Sequence, residues 1–84
     1  MPYINYASRE KYNEVLDELP ELKTKGDLEY CLFYIMKKIY MKDRDWKYTE
    51  LHSATYAAQH VADEFRRRYL DRREDEAIKI NGDI

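Results

Sequence analysis

The sequence predicts an all-α fold, in which a short N-terminal helix precedes a long antiparallel helical hairpin. Together these form a three-helix bundle with short extended segments at both ends. Apolar residues recur at helical spacing along most of the chain. Glycine and proline number two each, too few for the turns of a β-rich fold. Two helix-start signals, at Thr24 and Thr49, divide the chain into separate helices.

The first helix is predicted over residues 9–19, after a β-favouring segment at residues 3–6. Ser8 is expected to cap it. Its apolar residues follow the spacing i, i+3, i+4, i+7, and they are Tyr12, Val15, Leu16 and Leu19. Pro20 should end this helix, because proline has no N–H to continue the hydrogen-bond ladder.

The second helix is predicted over residues 25–42. Thr24 is the expected N-cap, and Asp27, three residues later, completes a capping box in which Asp replaces the usual Glu. The stretch "LEYCLFYIMKKIYM" is apolar on nearly all sides, which is typical of a central helix. Cys31 lies in this run, so we interpret it as a buried thiol in a reducing compartment.

The third helix is predicted over residues 50–76, with Thr49 as its cap. A narrow, coiled-coil-like seam follows a 3-4 spacing: Leu51, Ala54, Ala58, Val61, Phe65 and Arg68. Small residues accompany this seam and should allow a close approach to the bulky second helix: Ala54, Ala57, Ala58 and Ala62. At about 1.5 Å per residue the third helix overhangs the second, so its far end needs a cover.

The tail "KINGDI" carries a strong turn signal, Asn81-Gly82, within a segment predicted to be extended over residues 78–84. Two or three residues on each side are too few for an independent hairpin. We therefore expect Ile78 and Ile80 to pack on the third helix or on a second subunit, with Asn81-Gly82 ending or reversing the chain.

The bulk composition indicates one domain over residues 1–84. A chain of 84 residues has a small core and gains from a partner subunit, so we expect a homodimer. The 17 acidic residues nearly balance 15 Lys and Arg, which gives no reason to expect a nucleic-acid or membrane protein as a whole. No signal peptide or membrane span is evident in the sequence, and we expect a cytoplasmic location.

The run "RRRYLDRRED" contains five arginines between residues 66 and 73. We interpret it as a solvated helix face with three i, i+4 ion pairs: Asp63–Arg67, Glu64–Arg68 and Arg72–Glu76. Arg68 falls on the apolar seam, where it should meet a carboxylate or a tyrosine ring. An alternative hypothesis is a nucleic-acid-associated accessory protein that uses Arg66, Arg67, Arg72 and Arg73.

Hypotheses of an enzymatic function have less support from the sequence, and we expect no catalytic residue, no metal and no cofactor. His52, Tyr56, His60 and Glu64 form a polar stripe, but such a stripe lacks a complete ligand set. Comparison with all-α nucleotide pyrophosphatases supplies a further alternative, in which Glu14, Asp17 and Glu18 would hold Mg²⁺. The second helix offers only Asp27 and Glu29, which lie on different sides.

Four pieces of the sequence, "MPYI", "KGDLEY", "EFRRR" and "ED" followed by "NGDI", resemble a family of small uncharacterised proteins of bacteria and their phages that carries a domain-of-unknown-function label. Arg66 replaces a tyrosine of the family's "EFYRR", and Arg72-Arg73 stand where the family usually has Pro-Tyr. The resemblance implies that the tail is a regular part of the fold and that the source is a phage or a bacterium. It points to these positions for any site: Gly26, Asp27, Tyr30, Glu64, Phe65, Arg67, Asp75 and Gly82.

The sequence thus predicts a non-enzymatic helical module for interaction or self-association. We expect its binding or interface residues to be Asp27, Tyr30, His60, Glu64, Arg67, Arg68 and Arg72.

Overall fold

The computed structural model describes residues 2–84, and within this range it contains helices and connecting segments but no β-strand. The α-helices are α1 (Tyr6–Asp17), α2 (Lys25–Tyr34), α3 (Tyr48–Phe65) and α4 (Asp71–Asn81). A first π-helical segment, Ile35–Tyr40, extends α2, and a second one, Arg66–Leu70, joins α3 to α4. A short helix is thus followed by helical stretches of 16 and 34 residues. The all-α fold class predicted from the sequence is confirmed.

The start of α1 differs from the prediction, because the cap is Asn5 and not Ser8. Asn5 Oδ1 accepts a hydrogen bond from the Ser8 N–H at 2.8 Å, so Ser8 lies inside the first turn. Asn and Ser cap helices about equally well, and the sequence alone therefore could not choose between them. α1 ends at Asp17, two residues before the predicted end, and Pro20 follows shortly after.

The start of α2 confirms the predicted capping box. Thr24 Oγ1 accepts from the Asp27 N–H at 3.0 Å, and Asp27 Oδ2 accepts from the Thr24 N–H at 3.2 Å. Two backbone donors that the first turn leaves free are therefore satisfied by side chains three residues apart. Helical backbone ends at Tyr40, and the next residue, Met41, is buried.

The start of α3 lies two residues before the predicted one. Tyr48 is its first residue, and the Leu51 N–H donates to the Lys47 carbonyl at 3.1 Å. Thr49 is therefore part of the first turn and does not occupy the N-cap position that the sequence predicted for it.

The C-terminal tail is helical where an extended segment was predicted. α4 continues to Asn81, and the Gly82 N–H donates to the Ile78 carbonyl at 2.7 Å. Gly82 has φ 87° and ψ 154°, a backbone conformation that favours glycine. Asn81-Gly82 therefore ends the helix and does not reverse the chain. Residues 71–81 contain neither proline nor glycine, so nothing interrupts the helix earlier.

The chain divides into two compact units, and Tyr3–Ala54 form the first. In this unit the buried residues are Met41, at 2% exposure, and Ala54, at 7%. Cys31, which the sequence placed in the core, is half-buried. α2 keeps apolar side chains exposed on several sides, among them Leu28, Leu32 and Phe33.

Thr55–Ile84 form the second unit, together with Pro2. None of its described residues is buried, and Glu64 alone is half-buried. Ala57, Ala58 and Ala62 are exposed. Each helix among residues 2–84 is too short or too polar to cross a membrane.

Candidate functional site

The arginine run lies on the second π-helical segment and the start of α4. Its first two arginines form ion pairs with acids of α3. Arg66 Nη2 lies 3.1 Å from Asp63 Oδ1, and Arg67 Nε donates to Glu64 Oε1 at 2.6 Å. Both pairs join residues three positions apart, whereas the sequence predicted Arg67 for Asp63 and Arg68 for Glu64. Separations of three and four are both neighbours on a helix, so spacing alone could not distinguish them.

A cavity of about 380 Å³ lies beside the Glu64–Arg67 pair. Its lining residues are Pro2, His60, Asp63, Glu64 and Arg67. Three of the predicted site residues, His60, Glu64 and Arg67, are therefore brought together. The ring of His60 lies 6.1 Å from the ring of Tyr56, so the predicted polar stripe is in part a pair of aromatic rings one helical turn apart.

A second cavity, which we name the arginine cavity, has a volume of about 520 Å³. It is lined by Arg68, Tyr69, Arg72, Arg73 and Glu76. The Arg68 guanidinium lies over the Tyr69 ring, 5.2 Å from its centroid, which confirms the expectation of a tyrosine face for this residue.

The ion pair predicted between Arg72 and Glu76 is absent from the described part of the chain, although both residues line the arginine cavity. Arg73 likewise has no ion pair with any residue from 2 to 84. Two guanidinium groups thus border one cavity with their donors available. Arginine presents those donors as a planar fork that suits carboxylate and phosphate groups.

Asp27 and Tyr30 belong to α2, in the unit Tyr3–Ala54. The Asp27 carboxylate accepts the backbone N–H groups of Lys23 and Thr24, so its role here is to cap a helix. The Tyr30 ring lies 6.2 Å from the Tyr34 ring on the same helix. Neither residue lines the two cavities described above.

Four lining residues were neither among the predicted site residues nor among the arginines of the nucleic-acid alternative: Pro2, Asp63, Tyr69 and Glu76. A helical pattern does contain the signal for two of them, since Tyr69, Arg72, Arg73 and Glu76 follow the spacing i, i+3, i+4, i+7. No comparable sequence pattern predicts Pro2, because the other residues that line its cavity lie between residues 60 and 67 and are distant from it in sequence.

The chemistry available in these cavities is ionic. Among residues 2–84 there is no group of three or more His, Cys, Asp or Glu side chains placed to hold a metal ion. The arginine cavity combines three guanidinium groups with a tyrosine ring and one carboxylate. Such a lining favours an anionic partner whose negatively charged groups are separate from one another.

Comparison with known proteins identifies one family. The model of this family, described as a domain of unknown function, matches residues 1–84 of the chain. No curated protein and no solved structure matches the chain.

Proposed function

The chain belongs to the DUF6899 family, described as a domain of unknown function, and we propose that it is a non-enzymatic helical module that associates with a second copy of itself. One observation carries the proposal. Every leucine, isoleucine, valine, phenylalanine and tryptophan of the chain keeps more than a third of its surface exposed. Folded monomers bury most residues of these types. A second copy would supply the missing cover.

The free energy involved is large for so small a protein. Full burial of one Leu, Ile or Phe side chain contributes about 1.5–3 kcal/mol. A whole domain is stable by about 5–15 kcal/mol. Because all these side chains are at least partly exposed, the single chain lacks a burial free energy comparable with the entire net stability of an ordinary domain.

The face that we assign to self-association lies on α3 and the second π-helical segment. Val61, Phe65 and Tyr69 recur there at i, i+4, i+8, and all three are exposed. The rings of Phe65 and Tyr69 lie 4.9 Å apart and form a continuous aromatic surface. Ala58 and Ala62 on the same helix leave room for the backbone of a partner helix to approach.

A homodimer is the form of association that we propose. Most soluble oligomers are symmetric assemblies of one chain, and a twofold axis lets the same apolar face cover itself. Sedimentation equilibrium of the full chain should give twice the chain mass of 10.3 kDa at micromolar concentration. A well-folded monomer at high micromolar concentration would contradict the proposal.

A matched pair of variants tests the assigned face. Phe65→Glu places a charge on the aromatic surface and should weaken association by at least about a hundredfold, since central aromatic anchors carry most interface energy. Gln59→Glu makes the same kind of charge change at another exposed position of α3 and should leave association unchanged. Equal association of the two variants would exclude the assigned face.

A second candidate function is association with nucleic acid, and the arginine cavity is the observation that favours it. Arg72 and Arg73 have no ion pair among residues 2–84, whereas Arg66 and Arg67 are paired with acids. Binding through these arginines would weaken steeply with salt. The absence of any mobility shift with DNA or RNA at low salt would dismiss this candidate.

We also propose a cytoplasmic location and a bacterial or phage source. Cys31 is the one cysteine of the chain, so an internal disulfide is excluded, and it is half-buried. A free thiol is typical of a reducing compartment. Fractionation of cells that express the full chain would test the location.

A further inference from the structure

The arginine cavity carries more positive than negative charge within one short segment. Its lining includes three arginines and one glutamate. Arg72 and Arg73 have no ion pair with any residue from 2 to 84. Like charges at adjacent positions repel each other, so a partner that places carboxylates beside these arginines would stabilise the cluster.

α1 shows the opposite arrangement. Glu14, Asp17 and Glu18 follow the spacing i, i+3, i+4 and share one helix face near its C-terminal end. None of the three has an ion pair in the described part of the chain. A helix C-terminus is itself the negative end of the helix dipole, so three carboxylates there are unfavourable without a cationic partner.

The two cations of α1 do not neutralise this acidic face. The Arg9 guanidinium lies 4.6 Å from the centroid of the Tyr6 ring, and its Nε donates to the Ile4 carbonyl at 2.7 Å. Lys11 Nζ lies 5.1 Å from the centroid of the Tyr12 ring. Both cations are thus engaged with their own segment, and the acidic face remains available.

We propose that the arginine cavity is the docking site for the acidic face of α1 from a second copy of this chain. This inference rests on the proposed self-association and assigns it a charged contact. In a twofold-symmetric dimer, the cavity of each copy receives α1 of the other, so the contact is made twice. Carboxylates spaced by one helical turn would each meet a guanidinium fork from Arg72 or Arg73.

The lining of the cavity favours a protein helix over a nucleic-acid backbone as the occupant. Glu76 is part of the wall, and Asp71, Glu74 and Asp75 are close in sequence. A continuous phosphate backbone would have to pass these four acids, which repel it. A helix with carboxylates at discrete positions can meet the arginines without a continuous line of negative charge along these acids.

Charge reversal on the two sides tests the pairing. Variant X carries Arg72→Glu with Arg73→Glu, and variant Y carries Glu14→Lys with Glu18→Lys. We expect each variant alone to self-associate at least about tenfold more weakly than the wild type, because like charges then face each other. An equimolar mixture of X and Y should recover association, since both contacts are again complementary in the mixed dimer.

The mixing experiment distinguishes loss of the contact from loss of the fold, because two unfolded variants would not regain association on mixing. It also separates contacts between chains from contacts within one chain, which mixing cannot restore. The matched control is Lys37→Glu with Lys38→Glu, an equal charge change at exposed positions of the first π-helical segment. This control should associate as the wild type does.

Distinct outcomes address the two proposals. Wild-type association in variant X would overturn the docking site while the dimer itself stands. Weak association in X and in Y without recovery on mixing would also overturn it. Binding of an oligonucleotide by the wild type, lost in X while X still dimerises, would assign the cavity to nucleic acid instead. A monomeric wild type would overturn the proposed function and this inference together.

Discussion

Arg67 Nε donates to Glu64 Oε1 at 2.6 Å, and the two side chains differ sharply in exposure, at 70% for the arginine and 12% for the glutamate. A carboxylate this far removed from water depends on its hydrogen-bond donor, because an unsatisfied buried charge is costly. The pair also forms part of the wall of the cavity beside His60. Glu64 therefore links the local stability of α3 to the wall of this cavity.

Glu64→Gln should lower the free energy of unfolding by about 1 kcal/mol, because the amide keeps the shape but loses the charge-assisted hydrogen bond. Urea denaturation at one fixed protein concentration measures the change, since the stability of a dimer depends on concentration. Glu74→Gln is the control, an exposed position without an ion pair in the described chain, and should stay within about 0.5 kcal/mol of the wild type. Equal effects would show that the Arg67 contact contributes nothing.

The capping box of α2 gives a prediction with a conservative rescue. Thr24→Ala removes the oxygen that accepts the Asp27 N–H at 3.0 Å and should cost about 1 kcal/mol. Thr24→Ser keeps that oxygen and should recover most of the loss. Thermal unfolding followed by circular dichroism compares the three proteins. A Thr24→Ala protein that melts with the wild type would mean that α2 does not limit stability.

The two glycines should respond in opposite directions to alanine. Gly26 lies in α2, and an added Cβ would meet Thr24 Oγ1 at 3.7 Å, an ordinary contact, so Gly26→Ala should stabilise by up to about 1 kcal/mol. Gly82 has a φ of 87°, so Gly82→Ala strains the backbone although no heavy atom beyond the adjoining residues lies within 4 Å of the new Cβ. Hydrogen exchange should show faster exchange at the end of α4 in Gly82→Ala alone. Protection there equal to the wild type would contradict the assigned strain.

Local patterns predicted the fold well where two nearby side chains decide the structure. Thr24 and Asp27 lie three residues apart and satisfy each other, so the start of α2 could be predicted from four letters. At the first helix the prediction named Ser8 as the cap, whereas the cap is Asn5, a residue type that caps helices about equally well. The helical character of these segments could be predicted from the periodicity of their apolar residues. The residues at which each helix begins and ends could not, because they depend on which nearby residue acts as the cap.

The arginine run shows what periodicity could not supply. The backbone of Arg66–Leu70 is π-helical, which changes the angular spacing of the side chains. No residue type in this segment predicts a π-helix. His60, Glu64 and Arg67 were predicted as site residues and do share a cavity, but Pro2 joins it from the other end of the sequence. The tail was expected to be extended because Asn-Gly is a strong turn signal, yet the same glycine also suits a helix C-terminus.

The last two turns of α4 should contribute to association even though this segment is helical where an extended one was predicted. Ile80 is 81% exposed and Ile78 is 47% exposed, which leaves apolar surface at the end of the helix. Deletion of residues 79–84 should lower the melting temperature by about 5 °C or more if a second copy covers Ile80. Deletion of residues 83–84 alone keeps Gly82 and the helix end, and it serves as the control. If both truncated proteins melt and sediment as the full chain does, residues 79–84 contribute nothing to association, and the apolar interface ends before Ile80.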